Sequence, residues 1–201
     1  MSSSHDSGWD GIYHRYPLRR LPWELGRPRE VLIDLVESEE VEPCETLDLC
    51  CGAGTNPVYL AEKGFGVTAL DISDRALELA MEKAGHSGVG IDFLIGNFSS
   101  LPFKEARFGF VFDFGCFHHV DPEYRSAFIQ GVHRALNPGG TYLMVCFSDR
   151  NGNAENHFSR ERIYALFGDR FTIGRMNHVS SDEADEITRH FYEVLMKKTE
   201  A

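Results

Sequence analysis

The chain has 201 residues, enough for one domain with a full sheet and helices on both its faces. Hydrophobic residues are 42% and charged residues 25%, an ordinary globular balance, and no apolar run approaches the ~20 residues that span a bilayer. Thirty-one acidic against 20 basic residues give a net charge of −11, which repels nucleic-acid phosphates and argues against a nucleic-acid partner.

The start, MSSSHDSG, lacks the basic and apolar regions of a signal peptide and reads as a disordered lead-in over residues 1–8. GWDGIYHRYPLRRLPW, broken by Pro17 and Pro22, reads as a short helix and a turn, and PREVLIDLVESEE has helical spacing at Val31, Leu32, Leu35 and Val36. Alternation follows. ETLDLC is a buried strand, PVYLAEK a helix, GVTALDI a second strand, and SDRALELAMEKA a helix capped by Ser73 or Asp74. GIDFLIG and FGFVFDFG are the third and fourth strands, and DPEYRSAFIQGVHRAL is a helix with Pro122 in its first turn. After the stop NPGG, TYLMVCF is a fifth strand, and SRERIYALFG is a helix opened by Ser159 and closed by Gly168. FTIGRMNHV and ITRHFYEVLMKK both have strand content, and SSDEADE between them is too short and acidic for a crossover helix. They form an antiparallel hairpin. Five βα units and a hairpin predict an α/β doubly wound sheet, mostly parallel, with an antiparallel edge strand.

In such a sheet the ligand sits at the carboxyl ends of the strands, beside the first. DLCCGAGTNP lies there, with Gly52 and Gly54 allowing a tight turn and close approach. A dinucleotide loop would want a third glycine where Pro57 stands, and no phosphate loop of the G-x-x-x-x-G-K-[ST] type is present. Asp71 ends the second strand, where a carboxylate accepts ribose hydroxyls. Asp48, just before the loop, would repel a pyrophosphate but suits an ammonium or sulfonium. The five cysteines include no C-x-x-C pair, and free thiols in a reducing cytoplasm are the expectation. Adjacent His118 and His119 project differently, and His14, His157 and His178 lack ligand spacing, so no metal site is expected.

LDLCCGAGTNPVYLAEKGFGVTALDIS, with IGNFSSLPF, FVFDFGCFHHV, LNPGGTYLMV and the closing hairpin, resembles the class I S-adenosylmethionine-dependent methyltransferases over about residues 45–198. The resemblance implies a Rossmann-like seven-stranded sheet, with the last strand inserted antiparallel, and S-adenosylmethionine as cofactor. It implies that Asp48, Gly52 and Gly54 line the methionine part, Asp71 holds the ribose, and Ile72 packs on adenine. Asn97 stands where many members have an aspartate that accepts from the adenine amino group, and Phe98 would flank the ring. The first family glycine is replaced by Cys50, and Gly109 stands for a frequent aspartate.

The N-terminal WDGIYHRYPLRRLPWELGRPRE resembles the small thiol, thiopurine, halide and tellurite methyltransferases, in which this segment closes over the cofactor. That implies one methyltransferase domain over 9–201, with a helical lid at 9–44 and a catalytic core at 45–201. Trp23 would cover the cofactor, and Tyr13 with Arg27 or Arg29 would meet a small-molecule acceptor. The plainer reading is that Trp9, Tyr13 and Trp23 pin the arm to the core. Asp113, ending the fourth strand, points either into the site of methyl transfer or to a nearby backbone or arginine partner. His118 and His119 are the candidate bases, although a soft nucleophile such as a thiolate or halide does without a strong one. The expected protein is a cytoplasmic enzyme methylating a thiol, halide or metalloid. The alternatives are a natural-product or phenolic O-methyltransferase, a non-catalytic S-adenosylmethionine-binding protein and, third, an NAD-dependent oxidoreductase. The oligomeric state is left open.

Overall fold

The apolar runs become strands, and those at the centre of the sheet are buried along nearly their whole length. In the computed structural model, which describes residues 6–97, 101–103, 105–183 and 185–199, β1 (Glu45–Leu49), β2 (Gly66–Asp71), β3 (Asp92–Ile95), β4 (Phe108–Phe114), β5 (Leu136–Phe147), β6 (Phe171–Asp182) and β7 (Thr188–Lys198) form one sheet. Its order is β3-β2-β1-β4-β5-β7-β6. The helices are α1 (Asp6–Arg15), α2 (Glu30–Glu37), α3 (Thr55–Glu62), α4 (Asp74–Ser87), α5 (Arg125–Ala135) and α6 (Arg160–Phe167). α1 begins inside the segment expected to be a disordered lead-in.

Successive strand residues serve opposite faces of the sheet. Val111 of β4, with Tyr142 and Met144 of β5, packs on Phe128 and Val132 of α5 and on Ile163 and Phe167 of α6. Phe110, Phe112 and Leu143, one residue out of step, pack on Leu32 and Leu35 of α2 and Leu60 of α3. Both faces are covered, as a mainly parallel sheet requires. Helix starts follow local chemistry: Ser73 Oγ accepts from Ala76 N–H (3.0 Å) and Ser159 Oγ from Arg162 N–H (3.2 Å).

The hairpin is present, but the antiparallel strand is not the edge. β7 pairs antiparallel with both β5 and β6, so β6 takes the edge and runs in the direction of β5. Burial explains the placement. β7 contributes Val194 and Met196, both fully buried, whereas β6 buries only Phe171 completely enough to count as core. The more polar strand tolerates the edge. The ladder also extends through Ser180–Asp182, drawing half of the acidic connection into strand. No helix occurs between β3 and β4 among the described residues, so the βα alternation is incomplete there. Among the described residues, no helix is long and apolar enough to cross a membrane.

Gly54 joins the first loop to α3. Its φ is +82°, and an added Cβ would lie 2.6 Å from Ala80 Cβ and 2.8 Å from Ala80 Cα. Glycine is needed there for α3 and α4 to approach as well as for the turn. Gly54→Ala should destabilise the fold by about 2–4 kcal/mol, combining left-handed strain and overpacking. Urea unfolding checks this, and adding Ala80→Gly should recover only the steric part.

Candidate active site

β1 pairs in parallel with β2 on one side and β4 on the other, so the chain reverses its winding direction between β1 and β4. That switch point opens a crevice beyond the strands' carboxyl ends. A cavity of about 250 Å³ lies there, roofed by the N-terminal arm. Of the residues expected from sequence, Tyr13, Trp23, Arg27, Gly52, Asp71, Ile72, His118 and His119 line it. Asp48, Gly54, Asn97 and Asp113 do not, and Phe98 lies outside the described residues.

The floor holds a cluster of carboxyl groups. Asp71 Oδ2 accepts from Gly52 N–H (2.8 Å) and Oδ1 from Ser73 N–H (3.0 Å), so the carboxylate both shapes the loop and faces the cavity. Each oxygen retains acceptor capacity for a ribose hydroxyl. Asp48 is 1% exposed, and its Oδ2 is buried without a hydrogen-bond partner. Burial, then the charges of Asp113 and Asp71, push its carboxyl well above the usual range. An unmet buried acceptor beneath the loop is what a methionine ammonium would satisfy, directly or through water.

Asp113 turns away from the cavity. It accepts from Cys116 N–H (2.7 Å), Phe117 N–H (3.2 Å) and Tyr142 O–H (2.8 Å), tying down the loop after β4. Of its two expected orientations, the fold has the one facing backbone, because those donors lie on the inner side of β4. Burial lifts its pKa to about 7 against the pull of these bonds. His118 rides on that loop. Its Nδ1 accepts from Phe147 N–H (3.1 Å), which leaves the proton on Nε2. Burial, reinforced by His119 and His157, holds its pKa well below the usual value. With Nδ1 engaged, His118 has its Nε2–H left to offer the cavity. His119 is exposed at the mouth, its ring 4.8 Å from Trp9.

The arm is pinned at both ends by carboxylates. Asp10 Oδ1 accepts from Ser73 Oγ–H (2.8 Å) and Arg75 N–H (3.0 Å) at the start of α4, and Glu24 Oε1 accepts from Ala53 N–H (3.2 Å) before α3. Anionic groups are favourable at helix N-termini. Between the pins, Trp23 Nε1–H donates to the Tyr13 hydroxyl (2.9 Å), which sits over Gly52; a Cβ on Gly52 would be 2.8 Å from that oxygen. Arg27 is exposed and paired with Glu30. Arg29 is the buried arginine instead: it lies 3.5 Å over the Phe114 ring and donates to Glu183 (3.3 Å) and the Trp23 carbonyl (2.6 Å). Glu183 comes from the β6–β7 turn, so the arm and the hairpin clasp each other across the cavity. Of the two arginines the sequence offered, the cavity buries Arg29; Asp10 and Glu183 were not in the expected site, and Glu24 carried a signal as the acid of Pro-Trp-acid.

The expectation of free thiols is corrected. Cys50 and Cys116 form a disulfide with Cα atoms 5.5 Å apart, leaving Cys44, Cys51 and Cys146 free. Sixty-six residues separate the pair in sequence, but the β1–β4 pairing makes their loops neighbours. No group of three or more His, Cys, Asp or Glu among the described residues is placed to hold a metal ion.

This fold is Rossmann-like with a cleft at its switch point, and comparison narrows the class. Residues 46–140 match the methyltransferase domain family. A 2-heptyl-1-hydroxyquinolin-4(1H)-one methyltransferase of Mycobacteroides abscessus is 32% identical over 148 residues, 73% of this chain and 65% of that protein. A probable thiol methyltransferase of Arabidopsis thaliana is 29% identical over 156 residues, 76% of this chain and 67% of that protein. The match thus spans just under two thirds of the first relative's length. A solved structure concerned with conversion of a disulfide bond into a thioacetal group during echinomycin biosynthesis shares the fold, with a TM-score of 0.85 and 23% identity over 96% of this chain and 92% of that one. Residues 46–140 are thus similar to a methyltransferase domain, in keeping with the resemblance that the glycine loop and the closing hairpin carry.

Two outcomes follow. Asp10→Ala should cost about 1 kcal/mol of stability while speeding S-adenosylhomocysteine release and tryptic cleavage of the arm; stopped-flow fluorescence and timed digestion read both. Asp113, whose pKa rises on folding, binds its proton more tightly in the folded state, so its stabilisation is full below about pH 4 and is lost as pH rises through about 7. Asp113→Asn should therefore gain stability relative to the parent between pH 5 and 8, as measured by urea unfolding at each pH.

Proposed function

We propose that the protein transfers the methyl group of S-adenosylmethionine to a small, flat aromatic or heteroaromatic acceptor bearing an acidic thiol or hydroxyl. The aromatic wall of the cavity carries this reading. His118 stacks on Phe147 (3.9 Å between centroids, 15° between planes), Phe147 on Phe191 (5.3 Å, 26°), and Phe191 meets Phe114 (5.8 Å). All four line the cavity. Such a surface takes a ring by stacking. The named thiol relative supports a sulfur acceptor, and the hydroxyquinolone relative supports an oxygen acceptor on a ring.

When bound, S-adenosylmethionine supplies a methyl already activated as a sulfonium. Asp71 would hold the ribose, Asp48 the methionine ammonium, and Ile72 the adenine side. Trp23 and Tyr13 close the roof and exclude water. Methyl transfer to an anionic acceptor cancels charge, and dry aromatic walls favour the less charged transition state over the separated ions. An acidic thiol or hydroxyl reaches the anion without a protein base, which accords with His118 acting as an N–H donor. The remaining work is alignment.

Purified protein with S-adenosylmethionine should methylate thiophenols and acidic heteroaryl hydroxyls at least tenfold better, in kcat/KM, than alkyl thiols, iodide or tellurite. Preference for iodide or tellurite would overturn the aromatic reading in favour of a halide or metalloid enzyme. S-adenosylhomocysteine binding without any turnover would favour a non-catalytic role, and stabilisation by NADH alone would overturn the cofactor.

A further inference from the structure

We propose that Cys50 and Cys116 form a reversible disulfide that sets the cofactor affinity of the cleft. Two independent observations converge on it. Cys50 has φ +55°, a left-handed backbone that L side chains adopt only at a cost. A glycine would be free of that cost, so the cysteine must be offset by what its sulfur does. Its sulfur is bonded to Cys116, on the loop after β4, and both residues line the cavity. The bond thus ties the two loops that face each other across the switch point.

The bond is open to chemistry from one side. Cys116 is 1% exposed, whereas Cys50 is half-buried against the cavity. A small dithiol entering the cleft would direct a thiolate at Cys50 Sγ; the S–S bond breaks, and Cys116 leaves as a thiolate and takes up a proton. The second thiol of the reductant then attacks the mixed disulfide, frees Cys50 as a thiol and closes the reductant into its own disulfide. Two electrons and two protons pass to the protein. A small-molecule disulfide such as oxidised glutathione reverses the exchange through the same mixed intermediate.

Opening the bond frees Cys50 to leave the left-handed region. The loop that it begins holds Gly52 N–H on Asp71 and Ala53 N–H on Glu24, so its relaxation disturbs the cradle at the ribose and at the arm together. The oxidised form is therefore the tighter binder, and the left-handed cost converts to about a tenfold change in affinity. By reciprocity, bound cofactor resists reduction of the disulfide by the same factor.

The proposal rests on the cofactor reading of the cavity, and two readouts separate them. Protein treated with oxidised glutathione, then denatured and alkylated with iodoacetamide, should gain three carbamidomethyl groups by mass, and five after dithiothreitol. Calorimetry with S-adenosylhomocysteine should show about tenfold weaker binding after reduction. Cys50→Gly and Cys116→Ser should each abolish the response to reductant, and Cys50→Gly should bind more tightly than Cys116→Ser because glycine accepts the left-handed backbone. Five alkylated thiols in the oxidised protein, or equal affinities with the bond intact and reduced, would overturn the switch. No binding in either redox form, with the thiol counts as expected, would overturn the cofactor reading on which it rests.

Discussion

The parallel pairing of β1 with β4 is the constraint from which the site follows. Its register sets Asp48 beside Phe112 and Leu49 beside Asp113, so both strands end at the same level and release their loops into the same crevice. One loop carries Cys50, Gly52 and Gly54; the other carries Gly115, Cys116 and His118. A one-residue slip would turn Phe110 and Phe112 away from α2 and α3 and put Val111 in their place, so burial on both faces fixes the register. The geometry of the cleft thus inherits its precision from the core.

That pairing also gathers carboxyl groups at the ends of β1, β2 and β4, where water is largely excluded. Mutual repulsion and desolvation would make such a cluster unfavourable if all were ionised and unpaired. The structure resolves it unequally. Asp71 is held by two backbone N–H groups, Asp113 by a tyrosine hydroxyl and two backbone N–H groups, and Asp48 is left with an unmet oxygen. The residual demand falls on Asp48, whose buried oxygen the fold leaves unsatisfied just beneath the loop.

Features set by neighbouring residues were legible in the sequence. The βα order, the Ser73 and Ser159 caps, the glycine loop and the closing hairpin all depend on local pattern, and Asp71 could be placed because it ends a strand of evident type. Features set by tertiary approach were not. Choosing between Arg27 and Arg29 requires knowing that Phe114 and Glu183 converge on one of them. Asp113 reads equally as a site acid or a backbone tether until Tyr142, 29 residues later, is seen to lie beside it. Cys50 and Cys116 share no motif, and only the strand order makes them neighbours. The insertion of β7 came from the family resemblance and not from pattern, because it depends on how much apolar surface β7 can bury relative to β6, a comparison between strands and not a property of either.

The two halves of the cleft are built from different materials for a physical reason. The half toward β1 and β2 is polar and rests on backbone N–H groups and carboxyls, matching a zwitterionic, hydroxyl-bearing cofactor. The half toward β4, β5 and β7 is aromatic, and the arm brings Trp9 to it, edge-on to Trp23 at 5.4 Å. Methyl transfer from a sulfonium to an anion begins with two charges and ends with none. Under the proposed reading, the rings would align the acceptor while solvating its charge little, leaving binding energy for orientation. The arm completes this division. Its carboxylates Asp10 and Glu24 grip the N-termini of α4 and α3, while Trp23 and Tyr13 close the roof between them.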